Sequence, residues 1–237
     1  VISMQAHKFY SSALHSEGSA MVPIAGNLVD DVWEEQPNPP SNGIYALHES
    51  VTGSGVAEKL SNVRKEMADA GVDKLVITKL DEIAWVTNLR GDDIQFNPVF
   101  ESYMVIEMER STCFTRVKLP AGLIDELSPL VDFQPYESYS EFMRLVGSDS
   151  SGVVWLDPSG TTMATRILIS NDQKVHERPN PVVMLKAIKN NSEVLASREA
   201  HRHAAAAKIR SFKGLEEKIA CGQVVSELDY RQSLHEE

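Results

Sequence analysis

The sequence predicts an α/β fold, with a mixed central sheet flanked by helices and a long C-terminal helix appended to it. Three observations carry that expectation. Helical and extended patterns interleave between residues 56 and 190, as they do in layered α/β units. Lys74 to Thr78 and Gly152 to Asp157 have the length and β-branched centres of buried strands. From Asn191 a charged, Ala-rich stretch runs to about Ile219 without a proline, and Gly222 stands ready to stop it.

The remaining elements follow in chain order. Ile2 to Leu14 reads as a helix already under way. Met21 to Ile24 reads as a short strand and Asn27 to Trp33 as a short helix, with Leu28, Val29, Val32 and Trp33 at helical spacing. Pro37, Pro39, Pro40 and Gly43 then mark a linker. After Gly53 and Gly55 a new unit begins. Val56, Leu60, Val63 and Met67 form one apolar helical stripe that Gly71 ends.

Glu101 to Met108 and Thr112 to Lys118 flank Glu109, Arg110 and Ser111 as a hairpin. Leu123 to Leu130, Tyr139 to Val146 and Thr161 to Ser170 read as helices, Lys174 to His176 as a short strand, and Val182 to Lys189 as the lead into the long helix. Ser226, with Asp229 three residues on, caps a last helix that runs to Glu237. Both ends read as interrupted, since each falls inside a helical pattern. Trp33 and Trp155 are expected in the core, and so is Trp85.

Composition narrows the function. At roughly 150 residues per domain, 237 residues amount to one large domain or up to two smaller ones. A net charge of −11 argues against nucleic acid, which needs clustered Lys and Arg, and against an anionic membrane surface. No apolar run approaches the ~20 residues of a membrane helix. Cys113 and Cys221 lie in no metal-ligand spacing and are expected as reduced, mostly buried thiols.

The chemistry-bearing candidates are few. His201 and His203 stand two apart on a helix, where side chains diverge by ~200° and cannot grip one ion. His235-Glu236-Glu237 lacks the second histidine of a zinc helix. There is no phosphate-cradling glycine loop and no serine-hydrolase elbow. What remains is Arg90-Gly91-Asp92-Asp93. Arg90 is able to form a bidentate pair with a carboxylate, from Asp92, Asp93 or a neighbouring domain. The plainer reading, which is preferred, has Arg90 pinning the junction of helix and loop.

Thr78 to Phe100 contains Leu-Asp-Glu-Ile-Ala-Trp, Asn-Leu-Arg-Gly and Asn-Pro-Val-Phe in one register. This run resembles the middle-domain signature of the cytosolic three-domain Xaa-Pro aminopeptidases, which belong with the creatinase- and prolidase-like metallopeptidases. Asn-Leu-Val-Asp-Asp-Val-Trp at 27–33 resembles the end of that family's first domain. Lys186 to Asn190 resembles its junction with the catalytic domain.

The resemblance implies the end of a first creatinase-N-like domain and linker at 1–48, a complete middle domain at 49–190, and the first helices of a pita-bread catalytic domain at 191–237. It implies a cytoplasmic, homodimeric parent enzyme that uses two divalent metal ions, manganese being the expected one. That enzyme would remove the residue preceding proline from peptides with proline at the second position. The family's metal ligands match no residue of this chain, so the segment itself is expected to be inactive and metal-free, with no catalytic residue. Arg90, Asp92 and Asp93 would then edge the substrate cleft. The alternative is a non-catalytic protein-binding or dimerisation module on the same fold.

Overall fold

The computed structural model describes residues 2–24, 26–149, 152–169 and 174–236. The predicted element ends at Ser170 and Glu237 lie outside them. The described residues fall into two units, Val1–Glu49 with Ser54–Ile188, and Ser50–Gly53 with Lys189–Glu237.

The first unit is built on a sheet of six strands: β2 (Lys74–Ile77), β4 (Ser102–Glu107), β5 (Ser111–Thr115), β6 (Asp132–Pro135), β7 (Val154–Leu156) and β8 (Val175–Glu177). Their spatial order is β6-β5-β4-β2-β7-β8. β2 runs antiparallel to β4 and parallel to β7, so the sheet is mixed, as the sequence predicts. A separate short pair joins β1 (Tyr45–Ala46) to β3 (Leu89–Arg90), with Tyr45 opposite Arg90.

Side-chain alternation along the strands sends apolar residues to both faces. Leu75, Ile77, Met104, Ile106, Cys113 and Trp155 pack on one side. They meet α3 (Val56–Asp69), α4 (Leu80–Thr87), α5 (Ala121–Leu127) and α8 (Val182–Ala187) through Leu60, Val63, Met67, Ile83, Leu127 and Val182. Val76, Val105, Phe114, Val154 and Leu156 face the other way. There they meet Met4 of α1 (Met4–Ser16), Met143 of α6 (Tyr139–Ser148), and Ile169, which follows α7 (Met163–Ile167). The six-strand sheet with helices on both faces is the expected α/β architecture.

The N-terminal stretch departs from expectation. Met21 to Ile24 is not a strand: Pro23 removes a donor, and no partner strand lies alongside among the described residues. Asn27 to Trp33 forms turns, not a helix. Asn27 Oδ1 accepts the Val29 N–H at 3.2 Å, and its amide bonds Asp30 at 2.8 Å, so local side-chain bonds replace the first helical turn. Trp33 is accordingly 48% exposed and outside the core, whereas Trp155 is buried as predicted. Cys113 is buried, but Cys221 is exposed, because it sits at the C-terminal cap of the long helix and not within a packed face. Burial alone pushes the Cys113 thiol up to about 12.

The second unit contains α9 (Asn191–Ala220) and α10 (Glu227–His235), together with most of α2 (Glu49–Thr52). Asn190 and Glu193 form a capping box that starts α9, and the Asn190 amide also donates to the Thr52 carbonyl at 2.8 Å. Ser226 and Asp229 repeat the device at α10. Phe212 stacks on Tyr230 at 5.5 Å. Among the described residues, no helix is long and apolar enough to cross a membrane.

Candidate functional site

The residues singled out from sequence lie where α4 ends and the chain turns into β3. Asn88 ends the helix in the left-handed region, at φ 56°, a conformation asparagine tolerates better than most residues. A buried lysine secures that turn. Lys59 Nζ donates to Asn88 Oδ1 at 2.6 Å and to the Trp85 carbonyl at 3.0 Å, and it lies 4.4 Å from the Trp85 ring. Two residues on, Arg90 Nη1 donates to the carbonyls of Ala84 at 2.6 Å and Leu89 at 2.9 Å. Its guanidinium therefore stitches the last turn of α4 to β3.

Gly91 admits no side chain, because a Cβ there would stand 2.7 Å from Phe100 Cβ. Asp93 organises the following loop: Oδ1 accepts the Asn42 N–H at 3.0 Å and Oδ2 accepts the Glu101 N–H at 2.8 Å. The Asp92 carboxylate is exposed, while its backbone carbonyl accepts the Asn42 amide at 2.7 Å. The anchored loop ends in Ile94 and a 66% exposed Phe96 with φ 65°, an unusual backbone for an aromatic residue.

A second constellation escaped the sequence reading. β2 and β7 are parallel neighbours, and the chain leaving their carboxyl ends carries Lys79 and Asp157, which meet at 2.8 Å. In open α/β sheets this end of adjacent parallel strands is the usual place for polar chemistry. Ser159 donates its N–H and Oγ–H to Asp157 Oδ1 at 2.9 and 2.8 Å, and Lys79 Nζ lies 3.0 Å from Ser159 Oγ. Glu82, in the first turn of α4, is 2% exposed. It accepts the Asn180 amide at 2.6 Å and stands 3.7 Å from Lys79 Nζ. The signal was present in the Lys79-x-x-Glu82 spacing and in the aspartate that closes an apolar strand. Charged residues at a helix start look like solvated ones, however, until distant Asn180 is seen to cover them.

Burial would lower the Lys79 ammonium, but Asp157, Glu82 and Asp81 outweigh it and raise it above the usual lysine value. Burial likewise opposes ionisation of Asp157, yet the hydrogen bonds from Lys79 and Ser159 hold it below the ordinary carboxylate range. A lysine kept protonated is no general base, so the contact between Ser159 and Lys79 does not make a nucleophile. An open cavity of about 1570 Å³ borders this cluster, lined also by His7, Lys8, Arg166 and Arg178.

Among the described residues, no three His, Cys, Asp or Glu side chains are placed to hold a metal ion. His203 Nε2 pairs instead with Glu199 at 2.9 Å on an exposed face of α9. The described residues thus offer no donor set that fits a two-metal cage.

A family profile described as the creatinase/prolidase N-terminal domain matches residues 35–193. That span contains Arg90, Asp92, Asp93 and the whole cluster of Lys79, Glu82, Asp157 and Asn180. The chain belongs to the creatinase/prolidase N-terminal domain family. Xaa-Pro aminopeptidase 1 of Dictyostelium discoideum is 39% identical over 210 residues, covering 81% of this chain and 31% of the relative. Xaa-Pro aminopeptidase ApepP of Drosophila melanogaster is 34% identical over 233 residues, covering 96% of this chain and 38% of the relative. An X-prolyl aminopeptidase structure from Caenorhabditis elegans, described as a cytosolic enzyme with a di-nuclear active site, superposes with a TM-score of 0.88 at 25% identity. It covers 98% of this chain and 39% of its own. This creatinase/prolidase-family chain thus spans about a third of the curated relatives it matches.

Proposed function

We propose that this chain is a segment of a metal-dependent Xaa-Pro aminopeptidase, a hydrolase that removes the N-terminal residue preceding proline. The observation that carries the reading is the continuous likeness to two Xaa-Pro aminopeptidases over 81% and 96% of the chain. On this reading residues 1–48 close a first creatinase-N-like domain, 49–190 form the middle domain, and 191–237 open the pita-bread catalytic domain. The parent is a cytoplasmic homodimer that acts with two divalent ions, manganese by expectation, on peptides with proline second. On the same reading its metal cage lies elsewhere in the polypeptide.

Arg90, Asp92 and Asp93 are then the scaffold of a cleft rim. Arg90 and Asp93 fix the loop through backbone groups, and the exposed Asp92 carboxylate is the part we assign to meet a peptide. The test is direct. The chain, stripped with chelator and given manganese, should release no N-terminal arginine from Arg-Pro-Pro, whereas the parent protein treated alike should release it. Release by the segment would overturn the assignment of the cage to another region. Failure of the metal-loaded parent would overturn the aminopeptidase reading.

A further inference from the structure

We propose that Glu82 is a proton-operated latch on the seam between α4 and α8: protonated, it stays buried against Asn180, and loss of the proton opens the seam. Glu82 and Asp157 are both buried carboxylates, at 2% and 5% exposure. Among the described residues one ammonium, Lys79, reaches both, at 2.8 Å from Asp157 and 3.7 Å from Glu82. Ser159 adds two more hydrogen bonds to Asp157, so the lysine is held on that side.

Glu82 is left with a neutral partner, the Asn180 amide, which suits a carboxylic acid and does not neutralise a carboxylate. The other charges facing it are Asp81 on its own helix and Lys186 on α8, and these two pair with each other. Burial, with Asp81 and Asp157 nearby, pushes Glu82 up to about 7 against the pull of Lys79 and Lys186.

Asn180 makes the seam sensitive to this proton. While its amide holds Glu82, its Oδ1 accepts the N–H of Val182, the first residue of α8, at 3.0 Å. An ionised Glu82 is a buried charge whose nearest ammonium is held by Asp157, and it regains water only where the α4–α8 seam parts, which takes Asn180 from its post. Opening exposes a carboxyl that titrates near its ordinary value of 4.5, so opening releases a proton between that value and about 7. The opening constant of α8 therefore rises with pH across that window and levels off above it.

Amide hydrogen exchange of Val183 to Ile188 in the 237-residue chain, corrected for intrinsic rates, tests this. The opening constant should climb by up to about tenfold per pH unit between pH 5 and 7, then flatten. Glu82→Gln keeps the acceptor for Asn180 and should give a flat profile. Asp157→Asn frees Lys79 for Glu82 and should move the rise to lower pH by about one unit or more. A flat wild-type profile overturns the proposal, and so does an unaltered rise in Glu82→Gln. Should Glu82→Gln fail to fold, an unshifted rise in Asp157→Asn overturns it and a shifted one supports it.

Discussion

Arg90 and Asp93 show how a polar signature can be spent on its own backbone. Both are charged residue types, yet Arg90 donates to the carbonyls of Ala84 and Leu89, and Asp93 accepts the N–H groups of Asn42 and Glu101. Removing the Asp93 carboxylate leaves two N–H donors to solvent, and Asp93→Ala is expected to cost about 2 kcal/mol in urea unfolding. Any loss of peptide turnover in the parent should then accompany a mobile 93–101 loop, seen as faster exchange at Glu101. That these residues shape a loop was legible from Gly91 and Pro98 beside them. Glu82 was not legible, because its burial depends on Asn180, which stands 98 positions along the chain. Single-residue chemistry reads out of sequence when its partners are local and fails when they are not.

At the scale of elements, two helical glycines look alike in sequence and should behave oppositely. Gly147 lies in α6, where a Cβ would stand 2.1 Å from the Leu168 carbonyl oxygen. Gly147→Ala must push the end of α7 away, at an expected cost of about 2 kcal/mol or more. Gly214 lies inside α9 with nothing within 4 Å of its Cβ position, so Gly214→Ala should stabilise the helix by about 1 kcal/mol. Circular dichroism melts of both variants decide the signs. The long periodic elements, α3 and α9 among them, followed from stripe and stop signals. β6 was not announced, because Pro135 argues against a strand and is tolerated only where β6 borders the sheet. The segment 27–33 failed the other way, its helical spacing losing to the bonds Asn27 makes within two and three residues.

For the whole molecule, Glu82 and Asp157 set opposite pH dependences that overlap in mild acid. Asp157, held below the ordinary aspartate value of 3.8, contributes stability that is present above that value and fades as pH falls through its lower folded one. Glu82, raised from 4.5 to about 7, favours the fold fully below 4.5 and loses that advantage as pH rises to about 7. The net charge of −11 adds self-repulsion above neutrality. Calorimetry should find a higher melting temperature at pH 5 than at pH 8, and Glu82→Gln should narrow the matching difference in unfolding free energy by at most about 3 kcal/mol. The two-faced sheet explains why the fold class was legible while its strand order was not, since alternation assigns faces but leaves neighbours open. β2, at the heart of that sheet, takes β7 as a parallel neighbour, and Asp73 reaches Val153 across 80 residues. During synthesis, then, the β4–β5 hairpin can close as soon as it leaves the ribosome. The strand beside it waits with one edge bare until the tryptophan strand emerges, and in that interval the nascent chain is most in need of a chaperone.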